Sequence, residues 1–223
     1  MTNNPTGWTG STGETIKYLS DEEITKFFSA IEAQKDPIKR KRDLALYSLM
    51  LAYGCRCAEI SLIKLAHVRL REYPEHSEIY ITRVKKKRDK RTGQPKPREG
   101  RWYNLSDKNR AILVAWLKVR KKYKTAALSD AVFVTKETGT FSLPHIYDST
   151  VRYGKLVGLK VHPHMFRHTC GIRLARKGLS AFEIKERLGH VSVLSTEVYV
   201  RLAGPDRLAA DRRADEALEG EDD

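Results

Sequence analysis

Residues 162–202 read HPHMFRHTCGIRLARKGLSAFEIKERLGHVSVLSTEVYVRL, the most densely punctuated part of the chain. It divides into three helices: Met165–Lys177, stopped by Gly178; Ser180–Leu188, followed by Gly189; and Val193–Leu202. Its first seven positions hold three histidines and one arginine. Three explanations compete for that density: a metal site, a cradle for a phosphate, or a solvated helix face that is rich in histidine.

The same helical punctuation continues upstream. Ser20 and Glu23 form a capping box for a helix with Ile24, Phe27, Phe28 and Ile31 on one face, and Pro37 breaks it. Residues 40–54 make a second amphipathic helix ended by Gly54, and 57–65 a short third one. Residues 67–73, 78–85 and 101–105 alternate and are β-branched or aromatic, which predicts a small three-stranded antiparallel sheet. Ser106 caps a helix running towards Lys124, residues 131–135 suggest a short strand, and Leu143–Val157 is a further helix. The fold class is therefore mainly α with a small three-stranded antiparallel β-sheet. The expected organisation is a flexible tail over 1–14, one catalytic-sized domain over 15–203 and an acidic tail over 204–223.

The bulk numbers narrow the class. A chain of 223 residues, 40% hydrophobic and 31% charged, suits a globular protein with a real core. No stretch approaches the roughly 20 apolar residues of a membrane span. The polar start lacks the pattern of an export signal, and three cysteines with no C-x-x-C pair suit a reducing compartment. The expected location is the cytoplasm, on the nucleoid. The net charge is +14, but residues 206–223 hold three arginines and eight acids, leaving +19 on the rest. A basic body of this kind faces a polyanion, most often nucleic acid. The stretch from Arg83 to Arg101 holds ten basic residues against two acids, and is read as contacting DNA backbone through Arg83, Lys86, Lys87, Arg88, Lys90, Arg91, Lys96 and Arg98.

The metal explanation fits poorly. His162 and His164 are two apart, as are Cys55 and Cys57, and neither pair has the usual ligand spacing; no acid lies near the histidines. Phosphate fits better. Arg56 and Arg167 offer forks that grip phosphate oxygens with paired, charge-assisted hydrogen bonds. His164 and Arg167 are three apart on one helix, so they share a face, and Glu59 stands three residues beyond Arg56. His190 follows Gly189, and Tyr199 lies nine residues later. Histidines add donors, a lysine can protonate a leaving oxygen and a tyrosine can attack phosphorus. Taken singly, each has a bland reading: Tyr199 as a core aromatic with a wet hydroxyl, His168 as structural, the three cysteines as small buried apolar groups.

These residues together resemble the tyrosine recombinases, the phage integrase family. YGCRCAEISLIKL, residues 53–65, is similar to the first arginine motif, and 162–202 to the second block with its H-x-x-R, L-G-H and following tyrosine. The resemblance covers residues 15 to 203 and implies the family's catalytic-domain fold. It also implies roles. Tyr199 is the nucleophile forming a 3′-phosphotyrosyl bond, and Arg56 and Arg167 hold nonbridging oxygens. His164 and His190 add hydrogen bonds, with His164 a candidate for proton transfer with Tyr199, and Glu59 supports Arg56. The family's general acid is a hairpin lysine. Continuing the alternation Ile79, Ile81, Arg83 selects Lys85, with Lys86 and Lys87 open. No cofactor, metal or ATP is implied. The implied partners are double-stranded DNA with specific sites, a homodimer on each site, a homotetramer in the synapse and an accessory DNA-binding protein; no membrane is implied. The acidic tail over 204–223 is either simple disorder or, as the resemblance implies, a segment that docks on a neighbouring protomer.

The pattern departs from most of the family in two ways. An N-terminal DNA-clamping domain is not evident, so the layout is closer to single-domain invertases of the fimbrial-switch type. The hairpin is longer and more basic, with Pro95 and Pro97 expected to forbid regular pairing at its tip. Two rival functions remain at this point: a monomeric topoisomerase of related chemistry, and a DNA-binding regulator that does not recombine.

Overall fold

The computed structural model describes residues 7–9, 15–71, 73, 76–88, 95–190 and 192–203, with the side chains of 7–9, 15, 85–88 and 95–99 outside that description. Strands β1 (Gly7–Thr9) and β2 (Thr15–Lys17) pair antiparallel within and beside the segment read as a tail. Strands this short carry too few side chains to show alternation. Then follow α1 (Asp21–Glu32), α2 (Pro37–Tyr53) and α3 (Cys57–Ser61). The capping box forms as expected, Ser20 accepting from the Glu23 amide and Glu23 from the Ser20 amide. Pro37 separates the helices, but by beginning α2: it occupies the first turn, where no amide is needed, behind an Asp36 cap. At the far end Gly54 takes φ +60°, the left-handed value that lets the chain turn sharply into α3.

The sheet is three-stranded and antiparallel, in the order β3 (Val68–Arg69), β4 (Glu78–Arg88), β5 (Pro95–Asn104). β3 is shorter than predicted and the β4–β5 ladder longer. Val84 pairs with Pro97 and Arg88 with Pro95, so Pro97 lies within the ladder and Pro95 at its end. Register shifts between Ile81 and Arg83, and between Val84 and Arg88, absorb the irregularity they impose.

Helices α4 (Asp107–Arg120), α5 (Leu143–Leu156), α6 (Pro163–Arg176), α7 (Ala181–Leu188) and α8 (Leu194–Leu202) complete the described fold. Residues 131–135 are not a strand; Ala131 makes only an isolated bridge with Lys64. The reason is competition for carbonyls. Trp116 Nε1 donates to Val132 O at 3.0 Å, and Arg120 donates to the carbonyls of Ala126, Ser129, Ala131 and Val132. Two α4 side chains thus hold an apolar, β-branched segment in an irregular path.

The main core joins α1, α2, α5 and α6 through edge-to-face and tilted contacts among Phe27, Tyr47, Tyr153 and Phe166, with ring centroids 5.0–6.1 Å apart. Its polar tips are satisfied. Tyr47 Oη lies 2.6 Å from Ser149 Oγ, and Tyr153 Oη donates to Asp43 at 2.6 Å. A second, smaller core lies under α6, α7 and α8 and contains Cys170, Ile172, Ile184, Leu188 and Tyr199, so Tyr199 is fixed by packing. Among the described residues no helix is long and apolar enough to cross a membrane.

Candidate active site

The site is built around one buried carboxylate. The left-handed Gly54 directs the chain so that Arg56 caps α3 and Glu59 falls in its first turn. Glu59 is 0% exposed. It accepts from Arg56 Nη1 at 2.8 Å and the Arg56 amide at 3.0 Å, and from Arg83 Nη1 at 2.8 Å; Arg167 Nη1 lies 3.7 Å away. Burial alone would raise the Glu59 carboxyl. Arg83 and Arg167, then Arg56, overcome that and hold it below its ordinary value.

Arg167, 2% exposed, is aimed by carbonyls: Nη1 donates to Gly54 O and Nη2 to Leu188 O, both at 2.7 Å. It ties the end of α2 to the end of α7. Burial, with Arg56 and Arg83 as like charges, pushes its guanidinium down to about 10 despite Glu59. Arg83 moves the other way: burial lowers it, but Glu59 at contact distance raises it further. The two directions agree with the distances, since Glu59 is nearer Arg83 than Arg167. Three guanidiniums therefore share one carboxylate, and the excess positive charge makes the pocket a site for an anion.

Arg83 is a correction to the sequence reading. It was expected on DNA, but it is 5% exposed and held by Glu59, by Tyr103 Oη at 2.6 Å and by the Arg187 carbonyl. It locks β4 to the turn that carries Gly189 and His190; a Cβ on Gly189 would meet Arg83 Cδ at 3.0 Å. The sequence hides this because Arg83 opens a run of ten basic residues. Ile79, Ile81 and Arg83 do form one inward set, but Val84 is buried too and the register shifts beyond it. Plain alternation therefore does not extend to Lys85. The β4 backbone carries Lys85, Lys86, Lys87 and Arg88, and β5 carries Lys96 and Arg98; their side chains, and Lys90 and Arg91 altogether, lie outside the described residues.

On the other side stand the histidines and Tyr199. His190 Nδ1 is 2.8 Å from Thr196 Oγ1, a buried hydroxyl that fixes the ring. Its ring centroid is 5.9 Å from that of Tyr199. Burial, then Arg167 and Arg56, push His190 down to about 3. Tyr199 is 2% exposed, and burial raises its hydroxyl to about 12 although Arg167 and Arg56 lower it. Its ring lies against Gly171, where a Cβ would sit 2.5 Å from Cδ2. The hydroxyl meets His168, with Nδ1 at 2.9 Å. His164, one turn earlier and exposed, has its ring 6.0 Å from that of His168. Sequence reasoning missed Thr196 and His168. The latter carried a signal, as it lies four residues from His164 and so on the same face. Among the described residues, no group of three or more His, Cys, Asp or Glu is arranged to hold a metal ion.

A mainly helical domain with this antiparallel sheet, carrying an anion pocket beside a buried tyrosine, has the architecture of a tyrosine-recombinase catalytic domain. The chain belongs to the phage integrase family, which it matches over residues 17–204, and that family cleaves and rejoins DNA strands through a phosphotyrosyl bond. The chain is 29% identical over 184 residues to the type 1 fimbriae regulatory protein FimB of Escherichia coli strain K12, covering 82% of each. It is 26% identical over 200 residues to the tyrosine recombinase XerS of Streptococcus gordonii, covering 88% of this chain and 51% of that one. It thus spans about half the length of that relative. In fold it is similar to the crystal structure of XerA recombinase, with a TM-score of 0.66 at 24% identity over 90% of this chain and 65% of that one.

Proposed function

We propose that Tyr199 attacks the scissile phosphate of a specific duplex DNA site, with Arg56 and Arg167 on the nonbridging oxygens and His164 and His190 adding hydrogen bonds. The observation that carries this reading is the shared carboxylate: Glu59 holds Arg56 while lying near the buried Arg167, with more positive charge than it neutralises. A phosphodiester supplies the missing anion, and the preorganised donors stabilise charge that grows on its oxygens in the transition state. One of the β4 lysines, Lys85, Lys86 or Lys87, protonates the departing 5′ oxygen. The phosphotyrosyl bond keeps the energy of the broken diester, so rejoining by a 5′-hydroxyl needs no ATP.

Relatives support duplex DNA as the partner. XerH recombinase was crystallised on its difH substrate in a post-cleavage complex, and the Tn1549 transposon integrase with transposon end DNA. A dimer on each site, a tetramer in the synapse and an accessory DNA-binding protein complete the proposal. Residues 204–223 docking on a neighbouring protomer is part of it. The test is a nicked suicide duplex, on which the wild type should form a denaturant-stable protein–DNA band and Tyr199→Phe should bind without forming one. A band from Tyr199→Phe at the wild-type level refutes the assignment. Exchange between two sites separates a recombinase from a topoisomerase, and absence of any band leaves only a regulator.

A further inference from the structure

We propose that His168 accepts the phenolic proton of Tyr199 during strand cleavage, an inference that rests on reading Tyr199 as the nucleophile. The hydroxyl is buried, and His168 Nδ1 stands 2.9 Å from it. An attacking phenol must lose its proton as the bond to phosphorus forms, and a buried one has little water to take it. The imidazole next to it is aimed by packing at both ends. His168 follows Arg167 directly on α6, so the helix turn that aims the guanidinium also sets the imidazole. Tyr199 is fixed on α8 by its contact with Gly171, also on α6.

The charged and titratable groups facing His168 are His164 and Arg167 from its own helix, His190 from the turn after α7, and Tyr199. Burial, then His164 and Arg167, push His168 down to about 4, so at neutral pH the imidazole is neutral, and in its Nε2–H tautomer Nδ1 accepts from the Tyr199 hydroxyl. That makes it a weak base towards a resting phenol. The match improves in the reaction itself, because an oxygen bonding to phosphorus sheds its basicity and the arriving phosphate's negative charge favours an imidazolium. The step balances. The Tyr199 Oη–P bond forms and the phenolic proton passes to Nδ1. The P–O5′ bond breaks with its electron pair on the 5′ oxygen, which takes a proton from the general acid. Religation runs the transfers backwards. The exposed His164 ring beside His168 offers the buried proton a route to solvent.

The experiment compares single-turnover cleavage of the nicked suicide duplex by the wild type, His168→Asn, His168→Ala and Tyr199→Phe, with melting temperature and DNA binding measured alongside. Asn places an acceptor oxygen near Nδ1 but cannot carry a proton away. His168→Asn should bind DNA normally and form the adduct on the order of 10²-fold more slowly. Added imidazole should restore part of the rate to His168→Ala. In a second arm, a trifluorotyrosine at position 199, whose phenol is far more acidic than tyrosine's, should erase most of the His168→Asn deficit once the pH is raised above its burial-shifted value, since an ionised phenol needs no acceptor. His168→Asn cleaving within about threefold of wild type overturns the proposal, as does a deficit that the fluorinated tyrosine leaves unchanged, which marks a structural role. The second arm still decides if His168→Ala does not fold. An adduct from Tyr199→Phe overturns the nucleophile reading itself; its absence beside a normal His168→Asn overturns only the role of His168.

Discussion

Replacing Glu59 by Gln keeps the size of the side chain and an acceptor for Arg56, and removes the charge. The partners left behind are not equal. Arg83 and Arg167 have side chains 6% and 3% exposed, and Arg56 22%, so solvent screens Arg56 and it contributes least. Breaking a buried pair by removing one partner costs about 3–5 kcal/mol, and the retained acceptor places Glu59→Gln near the lower end, about 3 kcal/mol. For a domain of this length that lowers the melting temperature by about 6–12 °C. The variant leaves three guanidiniums with no carboxylate, so an anion should stabilise it more than it stabilises the wild type.

The pH dependence has a definite sign. Glu59 titrates below its ordinary 4.5, so its contribution is present above that value and is lost as pH falls through the lower folded value. The stability gap between wild type and Glu59→Gln should be full at pH 7 and close in strong acid. Thermal melts from pH 7 down to pH 3, with and without 0.1 M phosphate, test both parts. A loss of under about 1 kcal/mol at pH 7, or a gap that widens towards acid, refutes the account of Glu59 as the shared counter-ion.

Three further outcomes follow from the geometry. Thr196→Val keeps the branched shape and removes the hydroxyl that holds His190 Nδ1, so single-turnover cleavage should fall about tenfold with DNA affinity unchanged; a normal rate would show that the ring needs no such partner. Gly171→Ala puts a Cβ 2.5 Å from the Tyr199 ring and should cost about 1–3 kcal/mol in denaturant melts, a penalty that should vanish in a Tyr199→Ala background. Replacing Lys90, Arg91, Lys96 and Arg98 by alanine should flatten the log–log salt dependence of DNA binding by about 0.9 for each phosphate no longer neutralised, on specific and random DNA alike; an unchanged slope would mean that these side chains meet only solvent.

Helices were legible wherever punctuation and period agreed. The Ser20–Glu23 box and Gly54, Gly178 and Gly189 mark ends that the fold respects, three of them as glycines at positive φ. The errors fall where a distant side chain overrides a local pattern. Residues 131–135 look like a strand because they are apolar and β-branched, yet Trp116 and Arg120 claim carbonyls that a ladder would need. Pro95 and Pro97, by contrast, do disturb the pairing as their chemistry predicts: the register shifts beside them, and Pro95 stands in the last described pair of the ladder.

The same division runs through the site. Spacing along one helix brings Arg56 to Glu59 and His164 to Arg167, and those juxtapositions are visible in a string of letters. The residues that spacing misassigned depend on contacts between remote segments. Arg83 reaches Glu59 across 24 positions and the Arg187 carbonyl across 104, and nothing local distinguishes it from the basic residues that follow. Its burial changes what the hairpin is for. A strand whose first basic residue is anchored between the carboxylate of the anion pocket and the turn bearing His190 is mechanically part of the pocket. The same carboxylate therefore sets both Arg56 and the start of the basic part of β4 at Arg83. A change at Glu59 should disturb Arg56, Arg83 and Arg167 together, as one unit whose losses do not add.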